Sequence, residues 1–137
     1  MAILGEPDAE LEDLLGEIDA IQQAARRPIR HGARGGDVVV SAEKLVRNSP
    51  YSNSLEFVAH GMGLISHEAP RLTDRGPIPY PAYDADLPLE KGMVLSIETT
   101  LLHPRRGFIK LEDTVAVTET GCEGFGDRAR GWNRGGR

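Results

Sequence analysis

The stretch "SIETTLLHPRRGFIKLEDT", residues 96–114, decides the fold. It reads as two strands and a turn, with one glutamate on each strand. Met93 to Leu102 and Phe108 to Val117 are rich in β-branched and apolar residues. Between them, Pro104 suits the start of a turn and Gly107 a position that needs positive φ, which predicts the three-residue loop Pro104-Arg105-Arg106. Pairing His103 with Gly107 then sets the register: Leu101 opposes Ile109, Thr99 opposes Leu111, and Glu98 opposes Glu112. Side chains alternate between the faces of a strand. One face therefore carries Leu95, Ile97, Leu101, Ile109, Leu111, Val115 and Val117, a core face. The other carries Ser96, Glu98, Thr100, Lys110, Glu112 and Thr114. Like charges directly opposed across a sheet are unfavourable. At ~4–5 Å and an effective dielectric of about 20, the repulsion is roughly 3–4 kcal/mol. Three things can offset it: Lys110, solvent on an open face, or a cation between the carboxylates.

A second stretch bears on that choice. "EFVAHGMGLISHEAP", residues 56–70, holds His60 and His67 with Gly61 and Gly63 between them. The glycines argue against a helix and for a bend or a close backbone approach. A histidine beside apolar residues is read either as a hydrogen-bonded structural group or as a ligand. Imidazole with carboxylates is a donor set that suits Mn, Fe, Co or Zn.

At this point the chain resembles a known family, the M24 metallopeptidases of the pita-bread fold, and within it the Xaa-Pro peptidase branch. "HGMGLISHEAP" is similar to the family's His-Gly-x-Gly-Leu-x-x-His-Glu-x-Pro. "LEKGMVLSIETT" is similar to its Leu-x-x-Gly-Met-Val-x-x-Ile-Glu segment. "IKLEDTVAVTETGCEGF" is similar to its Glu-Asp-Thr-Val-x-Val-Thr-x-x-Gly ending. The three occur in family order, and the likeness runs from about Glu6 to Phe125.

The resemblance implies an α+β, partial pita-bread fold: a curved antiparallel sheet with helices on one face and the N-terminal strands missing. It implies His60, Glu98 and Glu112 as metal ligands, with Glu112 bridging two ions in the family. It implies His67 as the catalytic and substrate-site histidine that positions the scissile peptide. Tyr80 and Tyr83, in the proline-rich connection "RLTDRGPIPYPAYDADLPLEKG", are candidates to stack on a substrate proline; surface packing is the alternative. The implied cofactor is a divalent metal, Mn²⁺ first, with Co²⁺, Zn²⁺ or Fe²⁺ as alternatives. The implied substrate is a peptide with proline in the second position, and creatinase-like action stays open.

Two features depart from the family. Its cage has two further aspartate ligands on strands before the first long helix, and this sequence holds no counterpart to them. Asp8, Asp13 and Asp19 lie on or at the head of that helix, as a cap or a solvated face. With three of the cage's ligands, at most one ion is expected. The second departure is Glu56, which stands where relatives often carry another active-site histidine.

The remaining sequence fits one small domain over residues 1–137, read as the C-terminal part of such a catalytic domain, with 1–5 and about 126–137 as flexible tails. At 137 residues and 39% hydrophobic, a chain can bury a core. Asp8 to Arg27 is predicted as an amphipathic helix, capped by Asp8, with Leu11, Leu14, Leu15, Ile18 and Ile21 at helical spacing and Pro28 stopping it. Asp37 is expected to cap a second helix from Val38 to Arg47. His31 lies in a loop with no partner named.

Despite arginines in the tail, the net charge of −5 and the lack of any nucleic-acid motif argue against a nucleic-acid partner. No apolar span suggests membrane insertion. The single Cys122 suits a reducing cytoplasm. Unpaired sheet edges and an uncovered apolar face would favour homo-oligomers, or dependence on a missing N-terminal half. Three functions follow: a metal-dependent exopeptidase cleaving the bond before proline, an inactive remnant of one, or a non-catalytic half-domain that binds peptides or proteins.

Overall fold

Asp8 begins the first helix as its composition requires. In the computed structural model, which describes residues 1–75, 81–126 and 130–136, its carboxylate accepts a hydrogen bond from the Leu11 N–H at 3.0 Å. Helix α1 then runs from Ala9 to Arg26, with Glu10 and Glu12 in its first turn and Arg26 in its last. Each charge sits at the end where the helix dipole favours it. The apolar stripe Leu14, Leu15, Ile18 and Ile21 is buried.

Helix α2 spans Gly35–Asn48, beginning three residues earlier than the capping pattern suggests, and its N-cap is Arg34, without a side-chain cap. Asp37 lies inside the first turn instead. The early start follows from packing. A Cβ on Gly35 would meet the Leu72 Cδ2 at 2.5 Å, and one on Gly36 would meet the Ala85 carbonyl oxygen at 3.0 Å. Two glycines let the helix begin pressed against the connection that follows the histidine motif. His31, for which the sequence offers no partner, accepts at Nδ1 from the Lys91 N–H at 3.3 Å.

The main sheet is antiparallel. Its strands are β2 (Leu55–Gly61), β3 (Glu68–Arg71), β4 (Val94–His103), β5 (Gly107–Val117) and β6 (Cys122–Phe125). Their order is β3-β2-β4-β5-β6. The β4–β5 hairpin has the expected register, His103 opposite Gly107 and Glu98 opposite Glu112. Gly107 has φ of 76° at the turn. β2 lies on the other side of β4, with Val58 opposite Glu98 and His60 opposite Ser96.

Both helices cover one sheet face. Leu14, Leu15 and Ile18 pack with Leu101, Ile109 and Leu111. Ile21, Ala25, Val38, Ala42 and Val46 pack with Phe57, Leu95, Ile97, Val115 and Val117. The two ends of the chain also meet: β1 (Ala2–Leu4) pairs in parallel with β7 (Asn133–Gly135). No described helix is long and apolar enough to cross a membrane. The architecture is α+β, a five-stranded antiparallel sheet with two helices on one face.

Candidate metal centre

Strand alternation that sends the leucines and isoleucines toward the helices sends Ser96, Glu98, Lys110 and Glu112 to the opposite face. His60 shares that face, one strand away on β2. It is nevertheless 1% exposed, because the chain folds back over it. The β2–β3 register shifts between His60 and Gly61. At Gly61, a Cβ would lie 1.9 Å from the Ala69 carbonyl oxygen, so only glycine permits the return strand to come this near. The return brings His67 to His60, with ring centroids 4.2 Å apart and planes 22° from parallel.

The imidazole of His60 is fixed at both nitrogens. Nδ1 lies 2.9 Å from the Gly61 carbonyl oxygen, and Nε2 lies 2.9 Å from Glu98 Oε1. Carbonyl and carboxylate oxygens only accept, so both contacts are hydrogen bonds in the imidazolium form; when the ring is neutral the proton kept on Nδ1 for the carbonyl leaves the Nε2 lone pair for a metal. Glu98 is held at both oxygens too: Oε1 by His60 and Oε2 by the Lys110 ammonium. Glu112 accepts from the Ser96 hydroxyl at 2.9 Å through Oε1 and contacts Lys110 at 3.0 Å through Oε2. Lys110 thus lies between the opposed carboxylates, one of the three ways in which their repulsion can be offset.

These contacts set the charge states. The hydrogen bond from His60 lowers the pKa of Glu98; burial opposes the shift, Lys110 adds to it, and the result is about 2. For His60, burial works against the charged ring. Its bonds to Glu98 and the Gly61 carbonyl, with the charges of Glu98 and Glu112, outweigh that and raise the pKa. Burial also works against the Lys110 ammonium, and the two glutamates again outweigh it and raise the pKa.

His60, His67 and Glu98 each offer a donor atom within 4.8 Å of the others. Glu112 faces Glu98 across the strand pair and joins the group through Lys110 rather than directly. The donor set fits a divalent transition ion: a buried imidazole nitrogen, a carboxylate held ionised, and a second carboxylate opposite it. A positive group already sits between the two acids.

Tyr83 is 66% exposed in the connection, with its backbone N–H bonded to the Pro81 carbonyl at 2.9 Å. Tyr80 lies outside the described residues. Glu56 is exposed on β2, opposite Thr100.

Beneath the site, sequence reasoning passed over Gln22. It is fully buried, donates from Nε2 to the Ile97 carbonyl at 2.8 Å and accepts from the Thr99 hydroxyl at 2.7 Å. It thereby grips β4 on either side of Glu98. The available signal was a polar residue beside Ile21, inside the apolar stripe. Also passed over was Asp113, buried next to Glu112 and paired with Arg130 and Arg26.

Comparison with known proteins bears on this arrangement. The model of metallopeptidase family M24 matches residues 1–119. The Xaa-Pro dipeptidase of Pyrococcus furiosus is 26% identical over 122 residues, which are 88% of this chain and 32% of that protein. The probable dipeptidase PepE of Mycobacterium tuberculosis is 31% identical over 120 residues, 87% of this chain and 30% of that protein. Among solved structures, the X-Pro aminopeptidase of Thermotoga maritima superposes with a TM-score of 0.81 at 23% identity, covering 97% of this chain and 36% of that one. Dipeptidase PepE of Mycobacterium ulcerans gives 0.78 at 26% identity, covering 96% and 33%. The chain therefore spans about a third of the length of these relatives, and its fold is part of the pita-bread fold.

Proposed function

We propose, from the premise that this chain belongs to metallopeptidase family M24, that it carries the histidine and glutamate part of a metal-dependent exopeptidase of the Xaa-Pro type. The observation behind this reading is the convergence of a buried imidazole and two opposed carboxylates from three adjacent strands. His60 through Nε2, Glu98 and Glu112 would hold one divalent ion, Mn²⁺ first among Mn²⁺, Co²⁺, Zn²⁺ and Fe²⁺. The chemistry such an ion supplies is Lewis acidity toward a peptide carbonyl and toward water.

The chain's own groups do the rest. Glu98 stays ionised because His60 and Lys110 stabilise its charge. Ser96 orients Glu112 by donating to Oε1. His67, stacked on His60, would hydrogen-bond the scissile peptide and steady charge that develops on its oxygen. Tyr80 and Tyr83 remain candidates for a substrate proline ring. The substrate class is a peptide with proline second, as the names of the relatives suggest. The free thiol of Cys122 fits a cytoplasmic setting.

Calorimetric titration with Mn²⁺ tests the site. One weak binding event is expected in the wild type and none in Glu98→Gln. Hydrolysis of Xaa-Pro peptides with added Mn²⁺ tests the activity. Binding without turnover would favour the peptide-binding half-domain or the inactive remnant, and absence of binding would remove the metal reading.

A further inference from the structure

Four carboxylate oxygens face the candidate centre, and all four already have partners within the protein. Glu98 Oε1 lies 2.9 Å from His60 Nε2, and Glu112 Oε1 accepts from Ser96 at 2.9 Å. The two remaining oxygens, Glu98 Oε2 and Glu112 Oε2, share one ammonium, that of Lys110. The strand geometry makes this possible. Lys110 is two residues before Glu112 and so lies on the same face. Its own cross-strand partner is Thr100, not Glu98, which leaves it diagonal to Glu98. Diagonal neighbours lie about 7–8 Å apart, within reach of a long side chain. The lysine side chain is 32% exposed, whereas Lys91, paired with Glu119, is 67% exposed. Lys110 is drawn into the site rather than spread over the surface.

We propose that Lys110 is a built-in counter-cation that closes the Glu98–Glu112 pair and must leave it before a divalent ion can enter. The inference rests on the preceding reading that this pair receives a metal. An ammonium and a dication cannot share the same two oxygens, because each repels the other at contact distance. The two are therefore linked negatively: whatever free energy the lysine gains in the closed pair is subtracted from the apparent affinity for metal. The same contact relieves the repulsion between the glutamates, so one side chain stabilises the closed form while weakening the loaded one.

The two roles predict opposite responses to one substitution. Lys110→Met should lower the melting temperature without added metal and tighten Mn²⁺ binding by about tenfold, the scale of ordinary coupling between two sites. Lys110→Arg, which keeps the charge, should do neither. A second readout uses the wild type alone. Acetic anhydride labels exposed amines, and mass spectrometry locates the label, with Lys44 and Lys91 as internal references. Saturating Mn²⁺ should raise labelling at Lys110 and leave the references unchanged. If Lys110→Met binds Mn²⁺ no more tightly than the wild type, or if Mn²⁺ binds without raising Lys110 labelling, the counter-cation role is overturned while the metal site stands. If Mn²⁺ binds neither protein, both readings fall. If Lys110→Met does not fold, the labelling result decides.

Discussion

Glu98 concentrates the chemistry of the site in one side chain, and its protonation has a calculable consequence. Its pKa lies near 2 against an ordinary value of 4.5, chiefly through the His60 hydrogen bond. A carboxyl lowered in the fold contributes stability that is full above 4.5 and is lost as pH falls toward 2. His60 is raised from 6.5, so its contribution is full below that value and is lost as pH rises through the raised one. The pair therefore contributes most between 4.5 and 6.5. Urea denaturation of the wild type and Glu98→Gln should show the largest gap in that window, narrowing on both sides; a gap independent of pH would contradict the pairing. Gln22 offers a second prediction at this scale. Gln22→Ala leaves the buried Thr99 hydroxyl without its acceptor, which costs about 1–3 kcal/mol. Urea denaturation measures it, and Mn²⁺ affinity should fall as well, since β4 loses its grip beside Glu98. The placement of Glu98 opposite Glu112 was legible because the hairpin turn fixes the register, whereas His60 was drawn to them only through the resemblance. Gln22 and Ser96 were not legible, since an amide or hydroxyl is ordinary in sequence and gains meaning only from what lies opposite.

The elements differ in how well they announce themselves. The β4–β5 hairpin was legible to the residue, because a short turn fixes the register and a slip would send every apolar side chain to the wrong face. Helix α1 was legible from Asp8, its stripe and Pro28. The start of α2 was not, because Gly35 and Gly36 look like loop until Leu72 and Ala85 are seen against them. The β2–β3 return was visible only as two glycines of unknown purpose. Its physical cause yields a prediction. Gly61→Ala places a methyl 1.9 Å from the Ala69 carbonyl oxygen, and relieving such a clash costs typically 1–3 kcal/mol or more. The return strand would have to move away, carrying His67 from His60. Loss of the stacked pair is measurable as a change in the imidazole NMR shifts of both rings, together with a lower urea midpoint. At the other end of the sheet, Asp8 caps α1 and also pairs with Arg106 from the hairpin turn. Asp8→Ala should shorten the helix and loosen the turn together, seen as reduced helicity by circular dichroism.

At the scale of the whole molecule the sheet is covered by the helices on one side, while on the other the described residues cover it over His60 and Ser96 and leave it exposed nearer the hairpin turn. This second face carries the polar centre and, nearer the hairpin turn, Leu102 and Phe108, 63% and 59% exposed and opposite each other. Phe125 on β6 is exposed as well, but it pairs with Thr114, six residues along β5 from Phe108, and lies apart from that pair. An apolar patch of this kind favours association, so light scattering should give a mass above the 14.9 kDa of one chain. The double variant Leu102→Thr, Phe108→Thr should lower that mass; a monomeric wild type would contradict the expectation. The helical face is closed by a different device, in which Arg130 reaches both Asp19 of α1 and Asp113 of β5. That chain-wide tie was illegible in sequence because it spans 111 positions at its longest. The sheet order has one more effect. His60, Glu98 and Glu112 stand on β2, β4 and β5, side by side, so an ion bonded to all three would rivet three ribbons of backbone together. Deuterium uptake along those ribbons would then slow in concert when the ion arrives, while the helices, bolted on from behind, would keep their own pace.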